Sequence, residues 1–281
     1  MRKTFKHLIL VLSAMLMIIS CGGSSGDLMG LENVLPNYLN TKVLKKVNVA
    51  EAGVPAYDIN YMYAAGKLTA VNTSDNSLSY AVEYSGTQIS KITRTEMQGG
   101  QPQIITSMLT YSGALLTQIT GTIAEAGAVT DTFKTDITYA ATKPSQIKTI
   151  LYLPGTTTET GKHTSDLQYA GNNLSKWTFT SEFPAGPVVI PPIVVTTDFS
   201  NYDANPNPYH TLPSAFTLAN CNFDIDGTGP TGLSLQNYKT VTVQTGGASQ
   251  TENLTHIYDT AGYPTKSEAP GIVWNFEYLT L

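Results

Sequence analysis

The feature that most constrains this chain is a unit that recurs along it: a Tyr, an apolar residue or Pro five positions later, and a second apolar residue three after that. The copies are Tyr63, Leu68 and Val71; Tyr84, Ile89 and Ile92; Tyr111, Leu116 and Ile119; Tyr139, Pro144 and Ile147; Tyr169, Leu174 and Trp177. Gly66, Gly86, Gly113 and Gly171 sit between the Tyr and the apolar pair in all but the fourth copy, as a tight hairpin with positive φ requires. Around these turns the residues alternate in character. Phe133, Ile137 and Tyr139 share one face while Lys134 and Asp136 take the other, and Leu78, Tyr80, Val82 and Tyr84 line one side of their segment. No segment after residue 40 sustains a helical period, and Thr, Val, Ile and Tyr abound, which favours strands. The expectation is an all-β chain: one long antiparallel meander of roughly 14–18 strands. Because open twisted sheets seldom exceed about ten strands, this one must curl, split or close, and the expected form is a barrel-like, soluble domain.

The rhythm breaks at 183–233. Pro184, Pro187, Pro191 and Pro192 argue against a central strand. Asn201 to Tyr209 is dense in turn formers, and Gly227, Gly229, Pro230 and Gly232 follow. This reads as a loop-rich excursion, with strands resuming near Ser234. Tyr258 to Lys266 restates the hairpin unit, and Trp274, Phe276 and Tyr278 share a face on a closing strand. That strand can pair with the first, so residues 41–281 read as one domain.

At the other end, Arg2, Lys3 and Lys6 precede an apolar run from Leu8 to Ile19 broken only by Ser13, the pattern of an export signal. The run is shorter than the ~20 residues of a bilayer-spanning helix, so residues 1–20 read as a removed signal. The segment Ile18-Ile19-Ser20-Cys21 resembles the lipobox of bacterial lipoproteins. That resemblance implies a diacylglyceryl group on the Cys21 thiol, cleavage before it and acylation of the new amine; at about 0.8 kcal/mol per buried methylene, several acyl chains make a stable anchor. Gly22 to Gly26 opens a flexible tether, and 21–40 reads as lipidated cysteine plus tether. Removing residues 1–20 takes three basic residues and no acidic one, leaving 13 of 16 basic residues against 21 acidic, a net charge of −8. Such a surface offers nucleic acid no electrostatic footprint. With Cys21 acylated, Cys221 has no partner for an intrachain disulfide and reads as a small buried hydrophobe.

Together the lipobox, the Tyr/Gly units, Asn201 to Tyr209 and the terminal Tyr258-Asp259, Gly262-Tyr263-Pro264 set resemble a family of Bacteroidetes-type lipoproteins, a domain of unknown function with a porin-like fold. The units are also similar to a weak form of the Tyr-Asp repeats of large secreted shell proteins, although most copies lack the Asp. The resemblance covers most of 41–281. It implies a porin-like β fold and a place in the cell envelope, lipid-anchored to the outer membrane on its periplasmic or surface face, and it carries no catalytic residues.

Candidate chemistry is sparse. Asp224 and Asp226, ahead of Gly227, have the spacing of the start of a Ca²⁺ loop, but the further ligands of an EF-hand are missing and a plain turn accounts for them. His163, His210 and His256 are scattered, without the spacing of a metal site, and read as surface or loop histidines. No nucleophile elbow, phosphate loop or Cys-x-x-Cys occurs, and no cofactor is expected. Tyr202, Tyr209 and His210 lie in the excursion, where aromatic rings on loops can stack on sugars. The repeat tyrosines read as packing. Three functions fit: a non-enzymatic envelope module binding a glycan, peptide or envelope protein; a carrier of an apolar ligand inside the barrel; and a hydrolase acting on glycans through a carboxylate pair.

Overall fold

The computed structural model describes residues 42–184, 190–222 and 230–281. The signal, Cys21, the tether, Asp224 and Asp226 lie outside the described residues. Seventeen strands form one antiparallel sheet: β1 (Lys42–Glu51), β2 (Tyr57–Ala64), β3 (Lys67–Thr73), β4 (Leu78–Ser85), β5 (Gln88–Gln98), β6 (Gln101–Ser112), β7 (Leu115–Glu125), β8 (Ala128–Ala140) and β9 (Lys143–Tyr152). After them come β10 (Glu159–Ala170), β11 (Asn173–Glu182), β12 (Ile193–Ser200), β13 (Thr240–Thr245), β14 (Ala248–Asn253), β15 (Thr255–Tyr258), β16 (Pro264–Ala269) and β17 (Ile272–Thr280). Each strand but β14 pairs with the next, and β17 returns to β1, with Lys42 opposite Thr280 and Glu51 opposite Ile272. The sheet is therefore a nearly closed barrel.

The one place without a ladder between successive strands lies between β14 and β15, which are separated only by Leu254. Residues 248–253 pair with β13, whereas 255–258 pair with β16. One run of chain thus hands over from one neighbour to the other at Leu254, whose N–H bonds the Lys239 carbonyl.

Each Tyr hairpin carries the same irregularity. In β2–β3, Tyr63 faces Leu68 but Met62 faces Ala70, so Thr69 is an extra, bulged residue. Equivalent bulges follow at Ser90, Thr117, Ser145 and Ser175. Every one of these five hydroxyls donates to the carbonyl just before the repeat Tyr, at 3.1 to 3.3 Å. A bulge bends its strand and increases the local twist, so repeating it on one rim helps the sheet to curve shut. The turn itself, Ala65-Gly66, has φ of 49° and 77°, the left-handed pair that matches strand twist.

The tyrosines are tied as well. Tyr111 donates to Ile89 O at 2.9 Å and Tyr139 to Leu116 O at 2.8 Å, each acceptor being the apolar residue five after the preceding Tyr. Tyr63 bonds Leu44 O and Tyr278 bonds Pro264 O in the same manner. At about 0.5–1.5 kcal/mol per bond, this ladder links neighbouring hairpins around the rim.

The two faces of the wall differ sharply. Inward are Leu44, Val47, Leu68, Ile119, Ile147, Leu174, Trp274 and Phe276, all buried, along with Leu78, Ile137 and Leu167. Outward are ion pairs such as Glu83–Lys91, Lys134–Asp136, Lys162–Glu182, Lys176–Asp198 and Lys46 with Asp58 and Glu277. Phe133, Ile137 and Tyr139 point inward opposite Lys134 and Asp136, as their alternation requires.

The break in the rhythm differs from the expected 183–233. Strand β12 lies inside that range, immediately after the prolines, and strands resume at Thr240 rather than near Ser234. Residues 201–239 hold a helix, α1 (Ser214–Asn220), and 3₁₀ turns at Tyr209–Thr211 and Pro230–Leu233. Seven residues make two turns, too few to show a helical period.

On β7, Gly121 faces Phe133 of β8, and a Cβ there would stand 2.5 Å from the Phe133 ring and 1.9 Å from Thr106 O. Gly121→Ala is expected to lower stability by about 1–3 kcal/mol through overpacking. Urea unfolding followed by near-ultraviolet dichroism checks this; an unchanged midpoint would contradict the inward placement of Phe133 over Gly121.

Candidate functional site

Residues 201–239 are rich in Asn, whose side chain turns the chain by bonding nearby backbone, and in Pro, whose fixed φ suits a turn. Asp203 Oδ1 accepts the Asn205 N–H at 3.0 Å and Asn207 Oδ1 accepts the Tyr209 N–H at 2.7 Å. Asn207, buried, also donates to Thr231 O at 3.0 Å and Ser234 O at 2.6 Å, knitting the two limbs of the segment. So folded, the segment enters the barrel as a plug. Phe216 of α1 meets Tyr80 of β4 edge-on at 5.2 Å, and Tyr209 meets Phe276 of β17 at 6.2 Å. The Leu44 N–H of β1 bonds Thr211 Oγ1 at 3.0 Å, and the Leu174 N–H of β11 bonds Ser234 Oγ at 3.0 Å. Buried plug residues and buried wall residues form one apolar cluster.

Asn222 pins the plug to the far wall. Its Nδ2 donates to Ile147 O at 3.2 Å and Thr149 Oγ1 at 2.9 Å, and its Oδ1 accepts from Ser165 Oγ at 2.7 Å. Ser165 in turn accepts the Trp177 indole N–H at 2.9 Å. The inward-facing hydroxyls of Thr149 and Ser165 are thus satisfied by the side chain that the plug brings to them.

A second polar group seals the seam left by the β14–β15 hand-over. Asp203 accepts two bonds from Asn237 Nδ2, at 2.9 and 3.0 Å, and one from the Tyr258 hydroxyl. Lys239 lies 3.7 Å away. His256, on β15, places Nδ1 2.9 Å from Ser267 Oγ and Nε2 3.4 Å from Tyr238 O.

Of the residues marked as ligand contacts by sequence, Tyr202 donates to Leu174 O and so joins the tyrosine ladder. Tyr209 is buried at 5% exposure. His210 lies beside them with Nδ1 3.2 Å from Gly232 O. All three belong to the plug segment, each engaged with a different part of the structure. The histidines are not loose surface groups: His163 projects from β10 into the barrel, stacks on Phe179 at 5.7 Å, and has no partner for its buried Nδ1 among the described residues. Burial holds the pKa of His163, His210 and His256 below the usual value. Cys221 is buried, its thiol donating to Thr217 O at 3.4 Å. Arg94 was not signalled by sequence at all; it faces inward, buried, 3.1 Å from Glu96 and 5.7 Å from the Tyr80 ring. Among the described residues no three His, Cys, Asp or Glu side chains converge as metal ligands do.

Two outcomes follow. Asn222→Ala strands a donor and an acceptor on β9 and β10 and should cost about 1–3 kcal/mol, with faster amide exchange in 201–222; exchange unchanged there would remove Asn222 as the pin. Because the three histidines are held neutral when folded, the unfolded chain takes up protons first as pH falls through about 6.5, and stability drops below that value. The urea midpoint should decrease between pH 7.5 and 5.5, and decrease less in His163→Phe. A flat or rising midpoint would contradict the burial of these rings.

No family model matches the chain, and no curated protein does either. Solved structures do. A porin-like protein from Bacteroides vulgatus ATCC 8482 aligns over 86% of this chain and 100% of its own, with a TM-score of 0.55 at 12% identity. A porin-like protein from Bacteroides uniformis ATCC 8492 aligns over 84% of this chain and 96% of its own, with a TM-score of 0.47 at 14% identity. The first similarity establishes that this chain has a porin-like β-barrel fold.

Proposed function

We propose that this chain is an envelope lipoprotein, held on the outer membrane through acylated Cys21, whose barrel stands in water as a non-enzymatic module binding a glycan, peptide or envelope protein. The observation that carries this reading is the polarity of the wall. A spanning barrel needs an outward apolar band about 25 Å tall. This wall instead presents Glu83–Lys91, Lys134–Asp136 and Lys162–Glu182 outward, and burying such pairs in hydrocarbon would cost several kcal/mol per ion. Its apolar side faces inward and packs on residues from 201–222 and 230–239. A filled interior favours the binding module over transport through the lumen, and the polar groups of the plug are engaged with one another rather than arrayed around a cleft.

A second reading, the carrier of an apolar ligand, is supported by one feature. At the rim opposite the Tyr turns, Leu151, Phe179, Ile193 and Val243 are only partly buried, so the mouth there is less tightly filled.

Expression of the chain and of Cys21→Ala in a Gram-negative host tests the first reading. The native protein should incorporate labelled palmitate and sediment with membranes; the variant should take up no label and dissolve without detergent as a folded β protein. A variant that stays in the membrane and needs detergent would overturn the water-standing barrel.

A further inference from the structure

The two rims of the barrel are chemically unlike. The meander places the Tyr turns, the start of β1 at Lys42 and the end of β17 on one rim, and connections 52–56, 74–77, 99–100, 126–127 and 153–158 on the other. On the Tyr rim Lys67 and Lys143 donate to the carbonyls of Gly86 and Gly171. The opposite connections contain no Lys, Arg or His. They are bordered by Glu51, Glu125 and Glu159, and one holds Asp75; none of these four carboxylates has an ion-pair partner among the described residues, in contrast to Glu83, Asp136, Glu182 and Asp198 on the wall.

Apolar side chains gather on the same rim. Met97 and Val129 are 44% and 48% exposed. Cross-strand pairing joins them: Met97 faces Pro102, Ile104 faces Ala124, and Ala124 faces Val129, on the side of the sheet opposite buried Ile105 and Ile123. Leu153, 45% exposed, lies on the same rim in the neighbouring β9–β10 connection. Four adjacent strands at about 4.8 Å spacing make an arc about 15 Å long, long enough for two turns or more of a helix, or four residues of a strand.

We infer that this rim is a docking surface for a basic amphipathic polypeptide, whose apolar side chains cover exposed Met97, Val129 and Leu153 while its cations meet the unpaired carboxylates of the same rim. The inference deepens the binding-module reading by naming the chemistry of the partner. An anionic lipid surface would be repelled by Glu51, Glu125 and Glu159, whereas a basic segment gains on-rate and register from them. The apolar arc supplies the contact area that holds it. The rim also lies opposite the one where β1 begins, so a chain tethered through the residues before Lys42 can present it away from its anchor.

The test uses the lipidated chain in phosphatidylcholine nanodiscs and a labelled helical peptide of Leu and Lys with one apolar face, read by fluorescence anisotropy against empty nanodiscs. Saturable binding that weakens with salt is expected, together with no binding of the same peptide bearing Glu for Lys. Met97→Ser, Val129→Ser and Leu153→Ser combined leave the charge unchanged and should weaken binding at least tenfold. Glu125→Gln with Glu159→Gln should weaken it and flatten its salt dependence. Undiminished binding in the triple Ser variant, which would reveal general attraction to an acidic protein, overturns the proposal, as do absence of binding, equal binding of the acidic peptide, or a rim that inserts into phosphatidylglycerol nanodiscs instead. None of these outcomes alters palmitate labelling or detergent-free solubility, so a failure here is distinguishable from a failure of the anchored, water-standing barrel.

Discussion

The structure depends on disposing of the edges of its sheet. A strand edge exposes a row of N–H and C=O groups that must find partners, and a sheet of 17 strands cannot lie open and twisted. Closure of β1 on β17 removes the two terminal edges. Curvature comes from a device repeated on one rim, an extra Ser or Thr whose hydroxyl satisfies the carbonyl that its own bulge leaves out of the ladder. The bulge bends the strand and the hydroxyl offsets its cost. At the β14–β15 hand-over the ladder lapses, and there Asp203, Asn237 and Tyr258 take over from the backbone.

Closing so many strands creates a second problem. Eight strands enclose a space that side chains alone can fill, whereas sixteen or more leave a channel. Here the wall turns its apolar side inward, so an empty lumen would expose Leu, Ile and Phe to water. Residues 201–222 and 230–239 answer this by folding into the space as a plug, and α1 is buried along almost its whole length. The same segment must then satisfy its own polar groups out of water, which accounts for Ser165, Thr149 and Asn222 meeting in the barrel. The histidines that the sequence offered as candidates, His163, His210 and His256, are largely buried in this assembly.

How much was legible follows from the range of each signal. Strand alternation and the Tyr/Gly hairpins are local, so the inward Phe133, Ile137 and Tyr139, the closing strand with Trp274 and Phe276, and an all-β meander near the observed strand number could be read directly. The hydroxyl six residues after each repeat Tyr, at Thr69, Ser90, Thr117, Ser145 and Ser175, was equally local and was missed because a pattern of apolar residues skips polar ones. Strand β12 was hidden by the prolines that precede it. The plug was illegible for a different reason: its turn-rich composition is shared by exposed loops, and only the volume inside a closed wall decides that Tyr209 and Phe216 go in. Tyr202 illustrates the ambiguity, an aromatic in a loop-like segment whose hydroxyl turns out to extend the ladder of Tyr63, Tyr111 and Tyr139.

The chain order of these parts constrains how the barrel can form. Hairpins β2–β3 through β10–β11 contain their own turns and can form locally, but the closing ladder joins Lys42–Glu51 to Ile272–Thr280, almost the full length of the described chain. Loop closure over such a separation is entropically costly, though the cost grows only logarithmically with length, and contacts this distant slow folding. The plug enters between β12 and β13, and its contacts reach both early strands, through Leu44 and Tyr80, and late ones, through Phe276. A plug docked on an open sheet brings β1 and β17 towards the same apolar cluster. The segment that fills the barrel therefore also gathers its two ends, which ties the excursion to closure rather than leaving it an ornament on a finished sheet.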